Sequence, residues 1–309
     1  MIQERLKALR AEMEKRGITV YVVPTADFHE SEYVGDHFKA RKFITGFTGS
    51  AGTAVITLDE AGLWTDGRYF VQAENQLKDS TVTLYRMGEE GVPTVDEFVK
   101  DRLKEGGCLG FDGRVVNGTW GGRLEKIAAE KNVSMHVTED LIDLIWEDRP
   151  ALSKQPLFIL EEKYSGKSTA DKIGDLRKAM KENGADVHIL TSLYDIAWLL
   201  NIRGNDIDYV PVVLSYLVLN ETECIWFLQE EVVDDKIRAY LEENHITTKP
   251  YDAIYDYVPE IPADAVVLMN RGTVNYRIVN SLDKAIKVVD KPNPTELMKA
   301  VKNKTELHM

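Results

Sequence analysis

Cysteine is nearly absent. Cys108 and Cys224 stand far apart and match no metal or redox spacing, which excludes a disulfide framework and a thiolate metal centre and makes a reducing cytoplasm the plain expectation. Long apolar runs are missing too: nowhere do about 18 apolar residues follow one another, so no membrane span is expected. The opening stretch MIQERLKALRAEMEKRG is charged and lacks the apolar core of a signal peptide. Positive charge is in deficit, with 38 Lys and Arg against 51 Asp and Glu and a net charge of −13. The basic residues are scattered rather than striped, which argues against nucleic acid as a partner. What remains is 44% apolar and 29% charged residues over 309 positions, the composition of a globular chain long enough for two ordinary domains.

The strongest organisational signal is a repeat. Ile2, Leu6, Leu9 and Met13 recur at helical spacing, so a helix is expected over about 2–16, stopped by Gly17 and followed by the β-prone run ITVYVV at 18–23. About 167 residues later Ile173, Leu176 and Met180 repeat the stripe, Gly184 repeats the stop and ADVHIL at 185–190 repeats the strand. The wording agrees, LRAEMEKRG at 9–17 against LRKAMKENG at 176–184. Each copy continues through paired β-rich segments, a helix and a further strand. In the first these are AGTAVITL, EAGLWTD, Phe70 to Leu77 and CLGFD; in the second, VPVVLSYLVL, ECIWFLQ, a helix near 231–243 and AVVLMN. A repeat this long implies two copies of one α/β domain, each a mixed sheet flanked by helices, rather than a solenoid. The expected joint is DRPALSKQP at 148–156, and a second break falls at KPNP, after which a new helix begins. The boundaries are therefore 1–150, 151–291 and a terminal piece 292–309.

Three stretches invite chemistry. TADFHESEYVGDH carries Asp27, His29, Glu30, Glu32, Asp36 and His37, six metal-capable side chains in eleven positions, without any fixed ligand spacing; it reads as a solvated, interface-forming loop. Gly49-Ser50-Ala51-Gly52 lacks the first glycine of a nucleophile elbow, since position 48 is threonine, and it lacks the Gly-Lys-Ser/Thr ending of a phosphate loop. Its glycines read as backbone architecture. WTDGRYF, from Trp64 to Phe70, places Arg68 and Tyr69 just beyond an Asp-Gly turn, with their polar tips expected outside. Two readings stand: a surface that recognises a carboxylate or another protein, or a plain turn with a snorkelling arginine over a core tryptophan. In the second half DIAWLLNIRGNDIDYVP offers Trp198 and Arg203 through Asp206 as a comparable cluster. No base, nucleophile and orienting group occur together, so no self-contained active site is expected.

PTADFHESEY, FITGFTGSAGTAVI, WTDGRYFVQA, LIDLIWEDRP and DIAWLLNIRGNDIDYVPVVLSY, in this order, resemble the N-terminal two-thirds of the three-domain Xaa-Pro aminopeptidases, the proline-specific pita-bread metallopeptidases. The resemblance runs the length of the chain. It implies two creatinase/prolidase-type, RNase-H-like N-terminal domains ahead of a catalytic domain, with PTELMKAVKNKTELHM resembling that domain's entry helix. It also implies a cytoplasmic homodimer that acts on proline-containing peptides. Two metal ions, commonly manganese, held in the catalytic domain would activate a bridging water and polarise the scissile carbonyl. On this reading no catalytic residue or metal ligand lies in this sequence, and this portion alone is inactive. Arg68, Tyr69 and Trp64, with His29 and Arg203 behind them, are its candidates for the substrate cleft or the dimer interface. A stand-alone peptide- or protein-binding module of the same fold is the alternative expectation.

Overall fold

Leu6, Leu9 and Met13 line the buried stripe of helix α1 (Ile2–Lys15), which ends as its sequence requires. Gly17 takes φ +68, and the amides of Gly17 and Ile18 return to the carbonyls of Glu14 and Met13. The second copy repeats this turn: Gly184 takes φ +62, and Gly184 and Ala185 return to Lys181 and Met180. Both are Schellman closures, where an L side chain would be strained.

A computed structural model describes residues 1–308. The chain divides into two units, one formed by Met1–Phe28 with Asp36–Ala151, the other by His29–Gly35 with everything from Leu152 onward. In the first unit α1 is followed by β1 (Val20–Pro24), α2 (Ala40–Thr45), β2 (Thr53–Thr57), β3 (Ala61–Thr65), α3 (Phe70–Leu77), β4 (Thr83–Arg86), α4 (Val95–Arg102), β5 (Cys108–Phe111), α5 (Gly118–Glu130) and β6 (Ser134–His136). The strands form one sheet in the order β4-β3-β2-β1-β5-β6. β1 pairs antiparallel with β2 and β2 with β3, while β3/β4, β1/β5 and β5/β6 are parallel. Every residue of β1 is buried, as a β-prone, almost wholly apolar run on a central strand should be.

The second unit holds β7 (Phe158–Ile159), α6 (Glu162–Ser165), α7 (Thr169–Glu182), β8 (Val187–Leu190), α8 (Leu193–Leu199), β9 (Ile202–Arg203), β10 (Ser215–Leu219), β11 (Cys224–Leu228), α9 (Asp235–Glu243), β12 (Ile246–Pro250), α10 (Ile254–Tyr257), β13 (Val266–Met269), α11 (Tyr276–Ser281), β14 (Lys287–Asp290), α12 (Pro294–Ala300) and α13 (Lys304–His308). Its main sheet runs β12-β11-β10-β8-β13-β14 with the same sequence of parallel and antiparallel pairings. The repeat read in the sequence is thus a repeat of topology: a mixed sheet with helices, twice. β7 and β9 add a small antiparallel pair to the second copy.

One expectation changes. VPVVLSYLVL is strand only from Ser215, because Asp206 holds the preceding loop by accepting the amides of Gln155 and Leu214. The helix after KPNP packs against α8 and α7. Lys299 of α12 reaches the fully buried Asp195 of α8 at 2.6 Å, and Asn293 Nδ2 donates to the same carboxylate at 3.3 Å. These contacts hold the start of the terminal piece against the helices of the second unit.

Candidate functional site

The glycine-rich turn after α2 is built around a cation. Arg41 is 4% exposed, and its guanidinium donates to the carbonyls of Phe47 and Gly49 and to Thr25 Oγ1 at 2.9 Å. It also lies 4.8 Å over the Phe47 ring. Among the described residues no carboxylate pairs with Arg41, and burial pushes the group down to about 10. The loop carbonyls point inward to hydrate Arg41, and the backbone must pass closely to do so. A Cβ on Gly49 would lie 2.2 Å from Phe47 Cζ and 2.8 Å from Tyr69 Cδ1. Sequence reasoning assigned these glycines to architecture but missed Arg41, which stands at the start of α2, a helical turn and more ahead of Gly46.

The turn carries a polar surface outward. Ser50 Oγ and the Tyr69 hydroxyl are 2.6 Å apart, while the Tyr69 ring stands edge-on to Phe47 at 5.9 Å. Thr48 Oγ1 accepts from Gln72 and Gln76 of α3 at 2.9 and 2.8 Å. The Asp66-Gly67 turn leads from β3 into α3 rather than into a second strand. Asp66 Oδ1 accepts the Arg68 amide at 3.1 Å, and its carboxylate takes Arg68 Nε and Nη2 at 2.8 Å each. The guanidinium holds Asp66 down at about 2. Arg68 is 70% exposed, so its charge is half answered by its own turn, and Nη1 is not used on Asp66.

Trp64 does not belong to this surface. It is fully buried, stacked flat on Tyr85 at 4.1 Å and edge-on to Phe98 at 4.8 Å, with Nε1 donating to Pro93 O at 2.7 Å. The alternation along β3 points Trp64 into the core; only Arg68 and Tyr69 of the original group are brought together, with Ser50.

His29 and Arg203 belong to the second unit. His29 is 2% exposed, so the loop read as solvated is in this part a core element. Arg203 sits on β9, half-buried, with Nη1 donating to the carbonyls of Ala197 and Ile202, and burial alone lowers its pKa. Beside it Lys172, 1% exposed, donates to Trp198 O at 2.8 Å and Asn201 Oδ1 at 2.6 Å and lies 4.4 Å over the Trp198 ring. Its ammonium closes the C-terminal end of α8, where free carbonyls favour a cation. Desolvation first, then the charge of Arg203, pushes Lys172 down to about 8.

Several buried acidic side chains are already committed. In the first unit Asp112 takes both Nε and Nη2 of Arg114 at 3.0 Å, and Asp140 takes Arg149 Nη1 at 2.6 Å; burial and then the charge of Asp112 push Asp140 up. Between them lies a cavity of about 10 Å³, bordered by Tyr21 and Phe38, room for a single water. Among the described residues no three His, Cys, Asp or Glu side chains gather as metal ligands. The donor set present does not fit a dinuclear metal centre.

A family model described as the creatinase/prolidase N-terminal domain matches residues 5–145, and a second of the same description matches 148–306. The chain belongs to this family. The creatinase/prolidase-type fold extends to a solved structure, an X-prolyl aminopeptidase from Caenorhabditis elegans described as a cytosolic enzyme with a di-nuclear active site. That structure is 31% identical, with a TM-score of 0.93 over 100% of this chain and 52% of its own. A probable Xaa-Pro aminopeptidase P from Neurospora crassa is 38% identical over 98% of this chain and 46% of its own length. Aminopeptidase P2 of Arabidopsis thaliana is 35% identical over 92% of this chain and 41% of its own length. The chain thus spans about half the length of the relatives it matches.

Proposed function

We propose that this chain is the non-catalytic N-terminal portion of a metal-dependent Xaa-Pro aminopeptidase, an enzyme that hydrolyses the bond between an N-terminal residue and a following proline. The observation that carries the reading is one of coverage: nearly all of this chain aligns with Xaa-Pro aminopeptidases, yet it accounts for only about half of each. The donor set supports it, because Asp112 and Asp140 serve arginines, Asp195 serves a lysine and Asp206 accepts backbone amides. The domains are taken as 1–150 and 151–291, with 292–309 leading toward a catalytic domain in which the metal, manganese or another divalent ion, is held. A cytoplasmic location is part of the same proposal.

The role assigned to this portion is dimerisation and shaping of the peptide cleft. Arg68, Tyr69 and Ser50 supply the surface: an exposed guanidinium, two hydroxyls and a rigid turn beneath them. Arg203 is the second unit's contribution, a half-buried guanidinium anchored by one nitrogen to backbone carbonyls. Two measurements test the reading. The isolated chain should neither bind manganese stoichiometrically nor release the first residue of an Xaa-Pro peptide; metal-dependent turnover by this chain alone would sink the proposal. In a full-length enzyme carrying this portion, Arg68→Ala should raise KM or weaken the dimer in sedimentation without changing the thermal midpoint. Unchanged values of both would remove Arg68 from the surface.

A further inference from the structure

The small antiparallel pair of the second unit carries a cation beside an exposed ring. Phe158 of β7 stands directly opposite Arg203 of β9, and Ile159 opposite Ile202. Ile159 and Ile202 pack into the core of the unit, so the strand alternation turns Phe158 and Arg203 to the other face. There the Phe158 side chain is 48% exposed. We propose that this pair is a subsite for the C-terminal end of a short peptide, with Arg203 taking the terminal carboxylate and Phe158 the apolar side chain of the last residue. The site rests on the cleft-shaping role proposed above.

Arg203 presents a guanidinium with one edge spent and one edge open. Its Nη1 donates to the carbonyls of Ala197 and Ile202, which anchors the group against α8. Among the described residues Nε and Nη2 find no acceptor, and neither atom is sealed from solvent. That edge is the one that grips a carboxylate through two parallel bonds, as Arg68 does on Asp66 and Arg114 on Asp112. The mount is tight. A Cβ on the next residue, Gly204, would lie 2.9 Å from Val213 Cγ2 and 3.0 Å from Val212 O.

Charge favours the same ligand. Arg203 has no acidic partner among the described residues, and its charge bears on the buried Lys172. Glu306 acts on Lys172 from α13, but its carboxylate already accepts the Asn303 amide at 3.0 Å. A carboxylate on the open edge of Arg203 answers an uncompensated, half-desolvated cation. An inorganic anion would use the guanidinium and gain nothing from the ring beside it. A C-terminal residue carries a carboxylate and a side chain on one Cα, and so meets both.

The test is a titration of the whole chain followed at the arginine Nε–H resonances, with Arg203 assigned by its loss in Arg203→Met. The tripeptide Ala-Pro-Leu should move that resonance saturably, and its C-terminal amide should bind about tenfold more weakly. Phe158→Ala should weaken Ala-Pro-Leu about threefold and leave the thermal midpoint unchanged. Equal binding of acid and amide, or indifference to Phe158→Ala, overturns the proposal. Sodium acetate moving the resonance at the same concentrations as the tripeptide would mean an adventitious ion only, and overturns it too. Should Arg203→Met fail to fold, Arg203→Lys keeps the charge without the fork, and undiminished preference for the acid in that variant counts against the site. No readout is turnover, so the two ideas fail separately. Binding of the acid by a chain whose longer form is no peptidase would sink the peptidase reading, whereas an acid–amide ratio of one in a proven peptidase would sink the subsite alone.

Discussion

Lys299 Nζ lies 2.6 Å from Asp195 Oδ1, joining α12 to the first turn of α8. Asp195 is fully buried and Lys299 about one-third exposed, so one partner of the pair has lost its water and the other has not.

Removing the lysine leaves the carboxylate with Asn293 as its remaining side-chain donor. Lys299→Met is expected to destabilise the second unit by about 2–3 kcal/mol, less than the about 3–5 kcal/mol for breaking a fully buried pair, since Lys299 keeps some solvent. Urea unfolding measures it. A loss below about 0.5 kcal/mol would mean that α12 is held by apolar packing alone.

Lys172 predicts a pH dependence whose sign is the reverse of the usual stabilised cation. Its folded value is about 8 against the ordinary 10.5. Between these limits the unfolded chain binds the extra proton, so stability rises as pH increases through that window and is lowest, for this group, below pH 8. The full effect is on the order of 3 kcal/mol. Cys224, pushed up by burial to about 12 from 9, opposes it above pH 9. The clean measurement is the difference between the chain and Lys172→Met, followed from pH 7 to 10.5; parallel curves would refute the assignment.

Arg41 and Gly49 form one device and should fail alike. Arg41→Met leaves the carbonyls of Phe47 and Gly49 without their donor and is expected to cost about 2–3 kcal/mol. Gly49→Ala forces a methyl group into the Phe47 and Tyr69 rings and should cost about 1–3 kcal/mol. If the two act through the same loop, the double variant costs less than the sum, which a double-mutant cycle by chemical denaturation reads directly.

Tyr69→Phe separates the surface from the scaffold. The ring keeps its edge contact with Phe47 and only the bond to Ser50 is lost, so stability should change by less than about 1 kcal/mol. A larger loss in thermal or urea unfolding would place the hydroxyl in the scaffold rather than on a recognition surface.

The sequence by itself determined the duplication, the helix ends and the central strands, because these rest on local chemistry: a stripe at helical spacing, a glycine where φ is positive, a continuous β-prone run. It also disposed of the nucleophile and phosphate-loop readings, since those need particular residues at particular steps. Burial and partnership were decided by the tertiary structure. Trp64 and Arg68 stand four positions apart in one motif, and only the pleat of β3 sends the first into the core while the turn leaves the second in water. His29 sits among acids that suggest a wet loop, yet a carbonyl and a tyrosine hydroxyl more than 150 and 200 positions away satisfy both its nitrogens. Arg41 gave almost no signal, because the groups that hold it are backbone carbonyls, which every residue possesses and which only the path of the chain can aim.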